Sequence, residues 1–240
     1  GRIEEAALLT TASTGGQKLA GANTIHSFRG SNADGGKVEL NNAASSLEII
    51  EIAQADGGDI ELTNGGDLAI SGQIGSTAGD ISVAADGTIH STHEDVSIRG
   101  RDISLKAKEG AVGSEKTRLV AVAQGRTNLS AGLDIFFEER ETDLDSDFII
   151  SKNGSVDLLV PAGKIHVDEL RAAGSITVRT PYSVSLGSTA ASQLNLYVSG
   201  INAGVSVAEA LIAERLTVNA DQIEFANLIH TGVEPLQVSM

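Results

Sequence analysis

Residues 60–83 read IELTNGGDLAISGQIGSTAGDISV, a stretch that begins and ends on the same apolar, polar, apolar triplet. In the N-terminal half the triplet recurs at slightly uneven intervals, at Val38-Glu39-Leu40, Ile60-Glu61-Leu62, Ile81-Ser82-Val83 and Ile103-Ser104-Leu105. In the C-terminal third it recurs every 20 residues, at Val156-Asp157-Leu158, Ile176-Thr177-Val178, Leu196-Tyr197-Val198, Leu216-Thr217-Val218 and Leu236-Gln237-Val238. A period in this range is typical of a solenoid, in which each repeat forms one coil.

Two further apolar tracks run beside this first track. The second is Leu47, Leu68 and Ile89, and the third is Ile52, Ile74, Val96 and Leu119. Each period therefore contains three short strands, and alternate residues of a strand point to the same side. The predicted core residues of the first track are Val38, Leu40, Ile60, Leu62, Ile81, Val83, Ile103, Leu105, Ile176, Val178, Leu196, Val198, Leu216 and Val218.

Glycine precedes many of these strands, as in Gly58-Asp59 and Gly79-Asp80, where the chain has to turn a corner. Coils stacked about 4.8 Å apart would pair like residues in parallel ladders. The sequence therefore predicts an all-β parallel β-helix with three short strands per coil of 20–23 residues, and ten or eleven coils in 240 residues. A left-handed β-helix is the main structural alternative, but it usually keeps a stricter period.

We interpret residues 1–240 as one β-helix domain that is a piece of a longer chain. Residues 1–15 are expected to form an N-terminal cap or partial coil, because residues 2–9 are compatible with a helix. Residues 130–155 are expected to be an irregular insertion, because the first track is spaced more widely there, from Leu105 to Leu129 to Val156. The last triplet has no terminating segment after it, so we expect end-to-end stacking on the rest of the chain or on other copies.

Composition excludes some classes of function. The chain has 32 acidic and 17 basic residues and a formal net charge of −15, so binding to nucleic acid or to an anionic membrane is disfavoured. It has no cysteine, and hence no disulfide framework. Only 3% of the residues are aromatic, which suits a slender coil filled by Val, Ile and Leu.

Several segments resemble the repeat region of filamentous haemagglutinin-like large exoproteins, which Gram-negative bacteria secrete. These segments are GGDIELT at 57–63, AGDISVAADGTI at 78–89, EGAVGS at 109–114 and AGSITV at 173–178. The resemblance implies a right-handed β-helix that acts as an adhesive or spacing fibre outside the cell or on its outer surface. It also implies an outer-membrane secretion partner and a cell-surface or glycan receptor, which it does not identify.

An acidic run contains the candidate metal site. Asp143, Asp145 and Asp147 have the alternating spacing of the first ligands of a calcium loop. However, Phe148 stands where such a loop needs glycine, and Gly154 stands where it needs a bidentate glutamate. A calcium loop and a solvated acidic loop both remain open, and no other cofactor is expected.

A polysaccharide lyase or hydrolase is the enzymatic alternative, since such enzymes place carboxylates and a basic residue on adjacent coils. On the expected register, Asp157 is followed by Thr177 and Tyr197, while the stacked Glu39 and Glu61 are followed by serines. No acidic ladder with a basic partner emerges, so we expect the chain not to be an enzyme. A self-assembling extracellular filament subunit is a further alternative.

A small exposed patch is the candidate binding site for a partner. Tyr182 and Tyr197 could lie on one outward surface near Arg179. Tyrosine and arginine are the residue types that most often anchor protein partners. We therefore expect a structural or adhesive segment, with these three residues as its candidate contacts.

Overall fold

The computed structural model describes residues 1–230 and 237–239, and it is an all-β solenoid of about ten turns. Every pair of neighbouring strands is parallel, and the described residues contain no helix. The strands are β1 (Glu4–Ser13), β2 (Gln17–Asn32), β3 (Val38–Asn42), β4 (Ser46–Gln54), β5 (Ile60–Asn64), β6 (Asp67–Ile70), β7 (Ile74–Ser76), β8 (Ile81–Ala85), β9 (Ile89–Ser91), β10 (Ser97–Gly100), β11 (Ile103–Ala107), β12 (Leu119–Ala123), β13 (Thr127–Ala131), β14 (Ile135–Glu139), β15 (Leu144–Ser151), β16 (Val156–Leu159), β17 (Ile165–Ala172), β18 (Ser175–Thr180), β19 (Val184–Val198), β20 (Gly204–Asn219), β21 (Gln222–His230) and β22 (Gln237–Ser239).

The predicted three-strand coil is confirmed. β5, β6 and β7 form one coil, and β8, β9 and β10 form the next. Ile60 pairs with Ile81 on the first track, and Leu68 pairs with Ile89 on the second. All of the predicted core residues of the first track are buried, in one continuous apolar core.

Glycine and aspartate play different structural roles at the corners between strands. A Cβ on Gly79 would lie 2.2 Å from the carbonyl oxygen of Gly58, so the coils can approach here only without a side chain. The next residue is often an aspartate, whose carboxylate accepts a backbone N–H from the following coil. Asp59 Oδ1 accepts the Asp80 N–H at 2.9 Å. Asp134, which follows Leu133 rather than a glycine, makes the same kind of bond, because its Oδ1 accepts the Ser155 N–H at 2.7 Å. These bonds join successive corners along the axis.

A ladder of buried amides crosses the first coils. Asn42 is 1% exposed, and its Oδ1 accepts the Ile25 N–H at 2.7 Å. Its Nδ2 donates to the Ile25 carbonyl at 3.0 Å and to Asn64 Oδ1 at 2.9 Å. The amide thereby pairs the backbone N–H and carbonyl of Ile25, which lies inside β2 and is buried in the core.

The prediction of an irregular insertion at residues 130–155 is wrong. Leu105 pairs with Leu129, and Leu129 pairs with Ile149, so the ladder continues through this region. Val156 belongs to a different ladder, because it pairs with Ile135. The wide spacing in the sequence arose from joining two ladders. The acidic run therefore lies in β14, β15 and the turn between them.

The coil changes its cross-section at β14. Ile135 continues the second track by pairing with Val112, whereas Phe137 pairs with Leu119 of β12, so this single strand serves two ladders. The face of the first track continues into the first part of β15, where Asp145 pairs with Arg126. We call the region of β12, β14 and the 140–143 turn the junction.

The strict register predicted for the C-terminal third is wrong at one coil. Ile176 pairs with Leu194 rather than with Leu196, and Leu194 in turn pairs with Leu216. The third track shows the same kind of shift, since Ile74 pairs with Ile98 rather than with Val96. A shift by two positions keeps the same face inward, so burial is unaffected.

The expected N-terminal helix is also wrong. β1 spans Glu4–Ser13 and pairs with β2, with Leu9 opposite Phe28. Residues 1–15 therefore belong to a coil, which is compatible with the partial-coil alternative. In the last triplet, Leu236 lies outside the described residues, whereas Val238 pairs with Val218, as the predicted register requires.

Candidate functional site

A shallow trough of about 300 Å³ lies on the outer face of β5, β8 and β11. Its floor follows an outward ladder in which Glu39, Glu61, Ser82, Ser104 and Asn128 succeed one another. Because the side chains shorten to serine for two coils and then lengthen again, the ladder leaves a depression with an end at each side. We call this depression the axial trough.

An acidic column forms one wall of the axial trough. Asp59, Asp80 and Asp102 stand one residue before the triplets of β5, β8 and β11. Arg101 binds both oxygens of Asp80, at 2.8 and 2.6 Å. This guanidinium holds the pKa of the Asp80 carboxyl below its usual value, chiefly through the hydrogen bonds.

The expectation that no acidic ladder has a basic partner is therefore wrong. The expected register compared only the polar residue inside each triplet, whereas the column lies one residue earlier. The signal is present in the sequence as the repeated words Gly58-Asp59-Ile60 and Gly79-Asp80-Ile81, in which the aspartate recurs one residue before the triplet.

Ion pairs close both ends of the axial trough. Lys37 binds Glu61 at one end, and this hydrogen bond is the main cause that raises the pKa of the Lys37 amine. Arg126 binds Asp147 at the other end. The lining has five carboxylates and two cationic side chains, so the trough is acidic overall.

The available groups of the trough are suited to binding rather than to proton transfer. The hydroxyl groups of Ser82 and Ser104 have no hydrogen-bond partner within residues 1–230 and 237–239, and both side chains are exposed. By contrast, Asp80 is fixed by Arg101, and Asp102 Oδ1 accepts the Arg126 N–H at 2.7 Å. A carboxylate with a lowered pKa is a poor general acid near neutral pH.

The candidate calcium residues do not form a loop. Asp145 and Asp147 lie in β15 and face Arg126, at 4.0 Å and in direct contact respectively. Asp143 lies in the preceding turn, where its Oδ1 accepts the Lys164 N–H at 2.7 Å. In the part of the chain that the structure describes, no three His, Cys, Asp or Glu side chains are grouped so as to hold a metal ion.

The candidate partner patch is brought together in part. Arg179 and Tyr197 are ladder neighbours, and the guanidinium carbon lies 5.9 Å from the ring centre, within the range of a cation–π contact. Asp157 holds Arg179 at 2.6 Å and Arg118 at 2.7 Å. Tyr182 is exposed in the turn after β18, where it contributes no ring contact to this pair.

A second groove, of about 440 Å³, crosses β17, β19 and β20. Asp145, His166, Ser185, Ser206 and Glu224 succeed one another on its outward ladder. His166 Nε2 lies 3.1 Å from an Asp168 carboxylate oxygen, but no hydrogen bond joins Ser185 to His166 among the described residues. These groups therefore do not form a nucleophile and base pair.

The junction contains a buried carboxyl group that the sequence did not reveal. Glu139 is 0% exposed and points into the core, in line with Ile135 and Phe137. It accepts hydrogen bonds from Thr142 Oγ1 at 2.8 Å, the Ala123 N–H at 3.2 Å and Thr127 Oγ1 at 3.4 Å. Burial is the largest cause that raises the pKa of Glu139 to about 7.

Comparisons with known proteins identify no relative. No protein-family model matches the chain, and no curated protein or solved structure matches it. Among the described residues, no helix is long and apolar enough to span a bilayer. The fold and the grooves are therefore the basis for any statement about function.

Proposed function

We propose that this chain is a rigid segment of a secreted or surface-displayed bacterial fibre, which attaches to a surface or holds a distal tip away from the cell. The observation that carries this proposal is the continuity of the parallel ladders, which extend through about ten turns around one apolar core. At about 4.8 Å per turn, such a stack is a rod roughly 50 Å long.

The setting follows from the resemblance to filamentous haemagglutinin-like exoproteins and is part of the same proposal. It comprises an extracellular or outer-surface location, export through an outer-membrane partner in a Gram-negative bacterium, and a cell-surface or glycan receptor. The net charge of −15 supports a role away from nucleic acid. We further propose that the chain is not an enzyme and that its coils stack on further coils end to end.

Surface display tests this function. The chain is displayed on a non-adherent bacterium, and retention on cultured cells and on glycan-coated plates is measured under flow. An Ile81→Asp variant, which places a charge in the core at a position that is 1% exposed, serves as the unfolded control. Retention that depends on the folded chain is expected, and equal retention by the control would contradict an adhesive role.

A polysaccharide-active enzyme is the second candidate, because Asp59, Asp80 and Asp102 stand in adjacent coils beside Arg101. Adjacent coils are about 4.8 Å apart, close to the ~5 Å that separates the two carboxyl groups of a retaining glycosidase. Incubation with pectin, xylan and glucans tests this reading by the appearance of reducing ends or unsaturated products. Turnover that disappears in Asp102→Asn would favour the enzyme over the adhesive segment.

A further inference from the structure

We propose that the axial trough binds an uncharged or amino-bearing glycan chain that lies along the solenoid axis. The proposal deepens the adhesive function and rests on it, because it names the class of receptor and the place where it is bound. The contacts are assigned to the hydroxyl groups of Ser82 and Ser104 and to the carboxylates of the acidic column.

The shape of the trough fits a short segment of a linear polymer. The two serines occupy equivalent positions in neighbouring coils, so the floor runs along the axis in steps of about 4.8 Å. The volume of about 300 Å³ lies at the lower limit for small-molecule sites. A ligand of one or two sugar units therefore fills the trough, and a longer chain would pass above the ion pairs that close its two ends.

The polar groups are positioned before any ligand arrives. Asp59 and Asp102 each use one oxygen to accept a backbone N–H of the next coil, at 2.9 and 2.7 Å. Their second oxygens have no hydrogen-bond donor in the described residues, since Arg101 Nε lies 3.9 Å from that of Asp102. Rigid acceptors beside free hydroxyl groups suit a ligand with many hydroxyl donors, because little conformational freedom is lost on binding.

Charge selects among the glycans. Five carboxylates line the trough against Lys37 and Arg126, and both cations are already paired with Glu61 and Asp147. A sulfated or uronate-rich chain would bring further negative charge to this surface and be repelled. A neutral chain, or one with protonated amino groups, meets no such penalty.

Nuclear magnetic resonance on the full chain tests the site with defined probes. Cellotetraose, chitotetraose and deacetylated chitotetraose are titrated into ¹⁵N-labelled protein, and a heparin-derived tetrasaccharide serves as the anionic probe. We expect amide shifts confined to four segments, residues 59–64, 80–85, 102–107 and 126–131, which are β5, β8, β11 and β13 with the residue before each. At least one of the first three probes should produce these shifts. The anionic probe is expected to bind at least tenfold more weakly.

Two variants locate the binding within the molecule. Ser82→Gln with Ser104→Gln fills the trough with side chains similar in length to Glu39 and Glu61, which the same ladder already accommodates. The matched control is Ser185→Gln with Ser206→Gln, at equivalent outward positions in the second groove. The first pair should weaken probe binding at least tenfold, and the second should leave it unchanged.

The outcomes separate this site from the general function. Shifts outside these four segments, the absence of binding by all three uncharged or amino-bearing probes, or equal binding by the filled variant would overturn the glycan site. If the filled variant still adheres to cells like the unmodified chain, adhesion stands and the trough is not its receptor site. If the unmodified chain binds a probe but adheres to no cell or glycan surface, the trough stands and the adhesive function fails.

Discussion

Replacing Glu139 by glutamine should stabilise the protein at alkaline pH. Glu139 is fully buried, and no cation contacts its carboxyl group among the described residues; Arg99 acts only through its charge, and the Arg99 guanidinium is bound to Glu141 at 2.7 and 3.0 Å. Burial therefore favours the protonated form and raises the pKa of Glu139 to about 7, against an ordinary value of 4.5. Glutamine keeps the shape and removes the charge.

The sign and size of the effect follow from proton linkage. Because the pKa is higher in the folded state, the folded protein gains stability from this proton below about pH 4.5 and loses it as the pH rises through about 7. The difference between the two pKa values corresponds to roughly 3 kcal/mol. Glu139→Gln should therefore unfold with a free energy about 3 kcal/mol higher than the unmodified protein at pH 8.5, and with little difference at pH 4.5.

Urea denaturation followed by far-ultraviolet circular dichroism at these two pH values measures the difference. Glu109→Gln removes the same charge from a side chain that is 76% exposed, so it controls for the change in net charge and should show no pH-dependent gain. A loss of stability in Glu139→Gln at pH 8.5, or a gain of equal size at both pH values, would refute the reasoning. A loss would mean that the three hydrogen-bond donors keep this carboxylate charged, and an equal gain would mean that the gain does not depend on the protonation of Glu139.

Three further predictions concern the ladders and the acidic run. Asn42→Ala leaves the backbone N–H and carbonyl of Ile25 unpaired in the core, so the free energy of unfolding should fall by about 3 kcal/mol, measured by urea denaturation. Gly79→Ala puts a Cβ 2.2 Å from a backbone oxygen, so its midpoint of thermal unfolding should fall, whereas Gly75→Ala, with no atom closer than 3.8 Å, should leave it nearly unchanged. Removing calcium with EDTA should leave the midpoint of thermal unfolding unchanged, because Asp147 is bound by Arg126. A lower midpoint in EDTA would support the calcium site.

Burial could be predicted from this sequence, but register could not. Alternation with a period of two determines which residues face the core, and every predicted core residue of the first track is buried. Register is different, because Leu194 and Leu196 are the same residue type on the same face. A pattern that compares residue types cannot choose between them, and only the packing of the neighbouring coil places Leu194 beside Ile176.

The candidate site was missed for another reason, because its ladder was predicted in the correct register. The axial trough exists because Ser82 and Ser104 stack between Glu61 and Asn128. The order of the glutamates and serines follows from the sequence, but the sequence pattern does not indicate that two short side chains in a row leave a depression. The partner patch was predicted in part, but on the wrong ladder. The expected register stacked Tyr197 on the ladder of Asp157, whereas the structure places Tyr197 beside Arg179. Arg179 and Tyr197 are therefore neighbours, as predicted, although Tyr197 lies on a different ladder from the expected one.

The acidic run resembles a solvated loop in sequence because its charged residues are consecutive or nearly so. In the structure they are distributed over β14, β15 and the turn between these strands. In the structure Glu138 lies on the outward side of β14, and Arg140 binds it at 2.7 Å. Glu141 binds Arg99 from two coils earlier, and this ion pair crosses Val122, which faces outward and yet is only 4% exposed.

The arginines that compensate the run thus come largely from preceding coils, at sequence separations that no local pattern detects. Arg99 of β10 binds Glu141, which follows β14, and Arg126, which precedes β13, binds Asp147 of β15. Each of these pairs joins one coil to a later coil across the region where the cross-section changes. The charges therefore belong to the rod itself. A search for an adhesive contact should begin at the axial trough, where the hydroxyl groups of Ser82 and Ser104 have no hydrogen-bond partner among the described residues.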